Sequence, residues 1–290
     1  MSLQTVIIRE WNGAVTPEDA ETALVSLERG DVIFLPHLAF AIEDIERPVF
    51  SPAILSHAKN ASFNPTGNRL AGTSLAGADA ERLTGLMRRF SDAAHALVAD
   101  LFPRYASQLT RARASFRPAE IAGRASSWRK DDTRLHVDAF PATPSGGRRI
   151  LRLFTNVNPD GRARVWRVGD DFEAVASRFA PRLRVPLPGV GRALALLRVT
   201  KSPRTAYDAL MLQLHDRMKE DGDFQSTSPQ QTIDFPAGAT WLCFTDQVSH
   251  AATSGQYQLE QTFLLPVNAM REPDRSPLRV LERIKRRSLA

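Results

Sequence analysis

Two short segments carrying three metal-ligating residues constrain the fold of this chain most strongly. His136 and Asp138 stand two positions apart, and His250 follows more than a hundred residues later. In a strand, residues i and i+2 point to the same face, so His136 and Asp138 can approach one metal while Val137 turns away. The third ligand then comes from a different strand, which explains the long gap. Two histidines and one carboxylate hold Fe(II) on one face and leave positions open for a co-substrate and oxygen, so the pattern predicts an iron-dependent oxygenase.

The context of His250 adds weight to a pattern that is weak by itself. A His-x-Asp pair arises easily by chance, and this chain has six histidines. Residues 236–238 form a Pro-Gly turn signal, and apolar strands are predicted at 239–244 and 261–267, on either side of the histidine. A histidine at a strand end between two such strands is typical of the distal ligand in a double-stranded β-helix.

The patterning predicts a mainly β fold with flanking helices around a double-stranded β-helix (jelly-roll, cupin-like) core. Strong strands bounded by Pro and Gly are expected at 148–157 and 163–168. We expect a single domain over 1–290 with three parts: a helical and strand N-terminal part at 1–110, a β-helix core at about 111–270, and a basic C-terminal tail at 271–290.

Helices are predicted where apolar residues recur at helical spacing. One begins at Thr16-Pro17, with Gly30 as its stop, and a strand is expected at 31–35. The segment 51–75 is expected to be loop. The longest helix is predicted at 78–101, and another is inserted between strands at 205–220.

The remaining histidines and the single cysteine are expected to be structural. His95 and His215 lie on the two later helices, and His215 is expected to be exposed. Cys243 lies in an apolar strand and has no partner for an internal disulfide, which fits a reducing compartment. No secretory signal and no stretch of about 20 apolar residues is visible, so we expect a cytoplasmic protein that is at most peripheral to a membrane.

The charge balance is basic, with 38 Lys and Arg against 32 Asp and Glu. Arginines concentrate between residues 104 and 204, around the proposed iron ligands, which favours an anionic partner: nucleic acid, anionic lipid or an acidic sugar. The alternative is a solvated surface. No recognised nucleic-acid-binding motif is present, so no nucleic acid is expected as a partner.

An iron site of this type usually needs 2-oxoglutarate, whose distal carboxylate requires a cation. Arginine suits this role because its guanidinium matches a carboxylate at two points. Many such enzymes place that arginine some ten residues after the distal histidine, where this chain has Glu260 and Gln261. Arg152, in an otherwise apolar strand, is the best candidate, because a charge there either faces solvent or meets an anion.

Three further residues are candidates for the same pocket. Arg164 and Trp166 share one face of a strand, so Trp166 could offer a flat wall and an N–H donor while Arg164 pairs with an anion. The alternative is an outward-facing arginine beside a core tryptophan. Arg117 is a weaker candidate, and the polar segment 126–132 is expected to form a loop at the pocket mouth.

Four segments together resemble the bacterial Kdo 3-hydroxylases: 135–141, 147–159, 164–169 and 249–263. The resemblance covers roughly residues 110–270. It implies a double-stranded β-helix enzyme that depends on Fe(II), 2-oxoglutarate and O2, with ascorbate as a candidate reductant. It also implies hydroxylation at C3 of Kdo, the acidic sugar attached to lipid A, giving D-glycero-D-talo-oct-2-ulosonic acid, succinate and CO2.

The resemblance implies a role for each candidate residue. The iron ligands would be His136, Asp138 and His250, and Arg152 would clamp 2-oxoglutarate. Arg117, Arg164 and Trp166 would complete the co-substrate and substrate pocket, with their roles undivided.

The expected partner is a Kdo-bearing lipid A or lipopolysaccharide precursor, at an anionic inner membrane. The C-terminal basic segment is either solvated or in contact with that membrane. Two other functions stay open at this point: a hydroxylase of the same type acting on another small molecule or a protein, and a non-catalytic cupin-like protein that binds anions.

Overall fold

The structure is a computed structural model that describes residues 2–13 and 15–290. The strands are β1 Leu3–Thr5, β2 Val32–Leu35, β3 Ala61–Asn64, β4 Arg69–Ala71, β5 Thr110–Arg117, β6 Arg149–Asn156, β7 Arg164–Val168, β8 Gln231–Phe235, β9 Thr240–Phe244, β10 His250–Ser254 and β11 Gln258–Leu265. The α-helices are α1 Pro17–Arg29, α2 Gly77–Leu101, α3 Pro103–Ala106, α4 Phe172–Phe179, α5 Val190–Leu196, α6 Ala206–Glu220, α7 Gly222–Thr227 and α8 Pro277–Lys285.

The strands form one large and one small sheet. The large sheet has eight strands in the order β1-β2-β9-β6-β11-β5-β3-β4, and the small sheet has three in the order β10-β7-β8. Apart from the parallel pair β1–β2, the paired strands are antiparallel. The two sheets and their flanking helices confirm the prediction of a mainly β fold with a double-stranded β-helix core.

Aromatic side chains join the two sheets. Trp166 and Phe235 of the small sheet pack against Phe154 and Trp241 of the large sheet, and the rings of Phe235 and Trp241 stack with centroids 4.0 Å apart. All four side chains are buried. Aromatic pairs contribute about 0.5–1.5 kcal/mol beyond their buried area, so this cluster fixes the spacing of the two sheets.

Helices cover the outer face of the large sheet. The helix predicted at 78–101 is confirmed as α2, whose apolar side is buried. The first helix is also confirmed: Thr16 accepts a hydrogen bond from the Asp19 N–H, and Gly30 ends the helix with φ of 98°. A positive φ costs little at glycine, which is why the stop falls there.

The structure differs from the sequence expectations in the N-terminal part. The segment 51–75 was expected to be loop, but β3 and β4 form a hairpin there around a turn at 65–68. Strands of the part at 1–110 join the large sheet, where β2 pairs with β9 and β3 pairs with β5. These short edge strands gain their stability from neighbours distant in sequence, which no local pattern reveals.

The insertion between β7 and β8 is larger than predicted. The helix expected at 205–220 is confirmed as α6, with Thr205 as its N-cap. It is accompanied by α4, α5 and α7, so most of residues 172–227 is helical rather than β. Three of these four helices have eight residues or fewer, which is too short for a clear periodic pattern.

The C-terminal segment is a packed helix and not a solvated tail. Leu278, Val280 and Leu281 of α8 are buried, as is Leu289 after it. The Lys285 ammonium donates hydrogen bonds to two main-chain carbonyls of residues 180–183. Among the described residues, every helix is too short or too polar to cross a bilayer.

A buried ion pair connects β6 to the turn after β9. The Arg149 guanidinium donates to Asp246 Oδ2 at 2.8 Å and to Gln247 Oε1 at 2.6 Å, and both charged side chains are inaccessible to solvent. The guanidinium also lies 3.7 Å from the centre of the Phe244 ring. Because this pair holds the chain just before His250, it supports the position of that histidine.

Replacing Arg149 by Met should lower the free energy of unfolding by about 3–5 kcal/mol, because Asp246 is left buried without a counter-ion. Urea unfolding followed by far-UV circular dichroism measures the change. The matched control is Arg47→Met, which removes an exposed pair with Asp44 and should cost about 0–1 kcal/mol. Equal effects of the two variants would contradict the role given to Arg149.

Candidate metal centre

An isolated backbone bridge brings the predicted ligands together. The His136 N–H donates to the His250 carbonyl at 3.0 Å, and the His250 N–H donates to the His136 carbonyl at 2.9 Å. The Asp138 N–H donates to the Thr245 carbonyl at 2.8 Å. The segment is not the strand that was predicted, since only this isolated bridge forms at His136. The predicted sidedness holds: Val137 is buried in the core, while the ligand atoms of His136 and Asp138 converge.

The two imidazoles are oriented by main-chain carbonyls. His136 Nδ1 lies 2.8 Å from the Arg134 carbonyl, and His250 Nδ1 lies 2.8 Å from the Val248 carbonyl. A carbonyl only accepts hydrogen bonds, so each Nδ1 carries the proton and each Nε2 presents a lone pair. One ligand atom from each of His136, Asp138 and His250 lies within 4.8 Å of the other two.

The protonation states of these groups fit a divalent metal. Burial lowers the pKa of His136 well below its ordinary value, and burial also lowers the pKa of His250, so both rings are neutral near pH 7. Burial opposes ionisation of Asp138, but the surrounding groups, Arg152 foremost, together hold the pKa of that carboxyl well below its usual range. Asp138 Oδ2 is buried and accepts no hydrogen bond from the described residues, although Arg152 Nη1 lies 3.3 Å away. Two neutral imidazoles and one ionised carboxylate form a donor set for Fe(II).

A charged cluster on the large sheet lies beside the three ligands. Arg152 Nη1 is 3.2 Å from Glu260 Oε1, and Arg117 Nε donates to Glu260 Oε2 at 3.0 Å. The three residues come from the adjacent strands β6, β11 and β5. Burial opposes ionisation of Glu260, but Arg117 and Arg152 lower the pKa of its carboxyl. Arg152 therefore meets anions and does not face solvent.

The small sheet contributes donors that lack acceptors. The Arg164 side chain is buried and donates to the Gly255 carbonyl at 2.8 Å. Its Nε, and the indole Nε1 of Trp166, have no hydrogen-bond partner among residues 2–13 and 15–290. Burial, together with the nearby Arg117, lowers the pKa of Arg164 to about 9. Unpaired buried donors are costly, so their presence at a cavity indicates a polar ligand.

The candidate residues line one cavity between the two sheets. All seven predicted site residues contribute to it. Its walls consist of Arg117, Asp132, His136, Asp138, Arg152, Phe154, Arg164, Trp166, His250, Ala252, Gln258 and Glu260. The indole of Trp166 stacks on the His250 imidazole with ring centroids 5.1 Å apart, so it forms a wall at the metal position.

Sequence reasoning missed several polar residues of this site. Glu260 was noted only because arginine was absent there, although a carboxylate in an apolar strand is the same signal that selected Arg152. Asp132 belongs to the predicted mouth loop and is paired with Lys59 Nζ at 3.0 Å and Arg124 Nη2 at 2.9 Å. Lys59 and Arg124 lie outside that loop, and no sequence pattern indicated that they would pair with Asp132.

The expectation that His215 is exposed is wrong. Its side chain is 15% accessible, and its ring meets the His136 ring edge-on with centroids 5.3 Å apart. The ring nitrogen contacts the Asp216 carboxylate at 3.0 Å. The helix α6 therefore packs against the metal centre, a tertiary contact that its own polar pattern did not reveal.

Binding of Co(II), a stable substitute for Fe(II), should raise the free energy of unfolding by about 2.7 kcal/mol at a hundred times the dissociation constant. His250→Ala should abolish the effect, and His37→Ala, at an exposed histidine, should keep it. A protonated imidazole cannot ligate, and burial lowers the pKa of both site histidines, so binding should persist below pH ~6.5, the ordinary histidine pKa. Calorimetric titration across pH measures both points, and Co(II) stabilisation that survives His250→Ala would contradict the site.

Comparison with known proteins identifies relatives over the whole chain. The family model described as 3-deoxy-D-manno-oct-2-ulosonic acid (Kdo) hydroxylase matches residues 10–288. The crystal structure of the Kdo hydroxylase KdoO, a non-heme Fe(II) alphaketoglutarate dependent dioxygenase, in complex with alphaketoglutarate and Fe(III) is 44% identical, covers 100% of this chain and 98% of its own, and superposes with a TM-score of 0.96.

Two further KdoO structures agree. The complex with cobalt(II) is 46% identical over 99% of this chain and 97% of its own, with a TM-score of 0.96. The apo structure is 45% identical, covers 100% of this chain and 97% of its own, and superposes with a TM-score of 0.97. The comparison with curated proteins gives no match. With a family match over almost its entire length, and a cavity that carries the expected ligands, the chain belongs to the Kdo hydroxylase family.

Proposed function

We propose that this protein uses Fe(II), 2-oxoglutarate and O2 to hydroxylate C3 of Kdo on lipid A or a lipopolysaccharide precursor. The products are D-glycero-D-talo-oct-2-ulosonic acid, succinate and CO2. The metal is held by His136, Asp138 and His250. The observation that carries the proposal is the convergence of these three ligands beside a cluster of arginines in one cavity.

The charge of the cavity suits this set of ligands. When bound, Fe(II) with 2-oxoglutarate supplies the O2-dependent oxidation of a C–H bond. The three arginines of the cavity exceed Asp138 and Glu260 by one positive charge, and Fe(II) adds two. The resulting three positive charges equal the three carboxylates of one 2-oxoglutarate and one Kdo. At the rim, outside this balance, Lys59 and Arg124 exceed Asp132 by one further positive charge.

Arg152 binds the distal carboxylate of 2-oxoglutarate in this proposal. Its Nη1 lies 3.3 Å from Asp138 Oδ2, so its guanidinium is close enough to the metal position for one small diacid to reach both. Its Nε is buried without a hydrogen-bond partner among the described residues. An incoming carboxylate would satisfy that donor and share the guanidinium with Glu260.

Arg164, Trp166 and Arg117 complete the pocket for co-substrate and sugar. The free Nε of Arg164 and the free indole N–H of Trp166 are suited to a carboxylate or a hydroxyl of the sugar. The apolar faces of Trp166 and Phe154 exclude water from this side of the cavity. Exclusion of water directs oxidation to the bound C–H group and limits side reactions.

The position of attack follows from the structure of the sugar. Kdo is a 3-deoxy acid, so C3 is a methylene group next to the carbon that bears the carboxylate. An arginine that binds the carboxylate therefore keeps C3 at a short, fixed distance from itself. We further propose a cytoplasmic location with peripheral contact at the anionic inner membrane, where lipid-linked Kdo would be available, and ascorbate as a reductant.

Adding 2-oxoglutarate anaerobically to the Fe(II)-loaded protein should produce a weak visible metal-to-ligand charge-transfer band. The band should be lost in His136→Ala, because one ligand is removed, and kept in His37→Ala. Absorption spectra of the three proteins, with folding checked by circular dichroism, provide the measurement. If folded, iron-loaded wild type gives no band, the oxygenase function fails and a non-catalytic anion-binding protein becomes the better explanation.

Replacing Arg152 by Met should raise the KM for 2-oxoglutarate about 10- to 100-fold, since hydrogen bonds to charged groups contribute about 1.5–3 kcal/mol. Succinate formation with a Kdo-bearing lipid A precursor, at varied 2-oxoglutarate, gives the KM. The control is Arg162→Met at an exposed arginine outside the cavity. A KM unchanged by Arg152→Met would assign the distal carboxylate to another cation, with Arg117 and Arg164 the next to test.

A further inference from the structure

Most of the exposed large apolar residues lie on the insertion between β7 and β8. Seven large apolar residues are exposed in the part of the chain that the structure describes, and five of them fall within residues 187–199. The five are Leu187, Val190, Leu196, Leu197 and Val199, and the first, third and fourth are 78%, 84% and 72% accessible. Clustered exposure of this kind marks an interaction surface, whereas scattered single residues do not.

The same segment is strongly basic. Residues 174–207 contain seven cations and no acidic residue. Arg184, Arg192, Arg198 and Lys201 are exposed, and none of them forms an ion pair with a carboxylate of residues 2–13 or 15–290. We call these four cations and the five exposed apolar residues the basic apolar surface. Its composition combines groups that enter the apolar boundary of a bilayer with charges that meet anionic headgroups.

This surface is tied to the edge of the metal site. The Lys201 N–H donates to the Ala142 carbonyl at 3.0 Å, and Arg204 Nη2 donates to the Pro141 carbonyl at 2.6 Å. Those carbonyls lie three and four residues after Asp138. Between them and the ligand, the Phe140 ring lies 5.5 Å from the Arg152 guanidinium. A surface that holds this segment therefore lies next to the wall of the cavity.

The composition of the basic apolar surface favours one of three possible partners: a second copy of the chain, a nucleic acid or a lipid bilayer. A two-fold contact between two copies would place the patch against itself, so that its unpaired cations would repel one another. A nucleic acid would contact the cations, and a single strand would also stack its bases on aromatic side chains, but the five exposed apolar residues are all aliphatic and would gain no partner. An anionic bilayer satisfies both the cations and the aliphatic side chains.

We propose that the basic apolar surface docks the protein on an anionic lipid bilayer and thereby holds the cavity at the headgroup layer. Leu187, Leu196 and Leu197 enter the boundary of the acyl chains, and the four cations contact lipid phosphates. The inference rests on the proposed function in one respect, because docking serves catalysis only if the acceptor is lipid-linked. It also moves the membrane contact from the C-terminal segment, whose apolar side is buried, to residues 184–201.

Flotation of the full-length protein with vesicles tests the docking. Wild type should bind vesicles of phosphatidylglycerol and phosphatidylcholine and not vesicles of phosphatidylcholine alone. Leu196→Ser with Leu197→Ser should weaken binding at least about tenfold, because two exposed leucines no longer leave water. Arg192→Gln with Arg198→Gln should weaken it about 30-fold, at about 1 kcal/mol for each cation. Ile45→Ser, an exposed apolar residue outside the surface, should bind as wild type does.

Site integrity and oligomeric state are measured on the same variants. The anaerobic 2-oxoglutarate charge-transfer band should be unchanged in the leucine and arginine variants, so a loss of vesicle binding with the band intact supports docking. The docking proposal is overturned if wild type does not bind the vesicles or if the leucine variant binds them as well as wild type does. It is also overturned if wild type binds no lipid but forms a dimer that the leucine substitutions dissociate. Absence of the band in wild type would instead refute the proposed function while leaving the vesicle result to be read separately.

Discussion

The paired hydrogen bonds between His136 and His250 are the interaction on which the arrangement of the site depends. They are main-chain bonds, so they position both histidines whatever the side chains do. Each imidazole is then fixed by a carbonyl within two residues of itself, which leaves one rotamer and one tautomer. The Asp138 N–H is held in turn by the Thr245 carbonyl. Backbone geometry therefore brings the three ligands together.

A second constraint is the balance of charge around those ligands. Arg117 and Arg152 are held by Glu260, and Arg152 also lies against Asp138, so no buried charge in this group stands without a counter-ion. Under the proposed function, a metal bound by Asp138 would free Arg152 to pair with the carboxylate of the co-substrate. Glu260 is thus the counter-ion that Arg117 and Arg152 share within the cavity.

Features that depend on residues close together in the sequence were predicted correctly, whereas features that depend on contacts between distant residues were missed. The His-x-Asp pair, the caps of α1 and the long α2 are local patterns, and each was found in the structure where it was predicted. Arg152 was found because a charge in an apolar strand is anomalous in itself. Glu260 carried the same anomaly and was overlooked, and His215 could not be placed because its approach to His136 depends on how α6 packs. The hairpin of β3 and β4 escaped for the same reason, since β3 is stabilised by β5, more than forty residues away.

The basic residues of this chain include two groups in different environments, one inside the cavity and one on the exposed insertion. Inside the cavity, arginines are desolvated and matched to carboxylates, and burial even lowers the pKa of Arg164 to about 9. On the insertion, the cations of residues 184–201 are hydrated, unpaired with acids and set among exposed leucines. Under the two proposals, the first group binds small acids, and the second supplies a long-range attraction that weakens with salt. Because Arg204 and Lys201 bind the main chain just after Asp138, one continuous segment joins the two. The proposed acceptor, an acidic sugar carried on a lipid, would contact both groups.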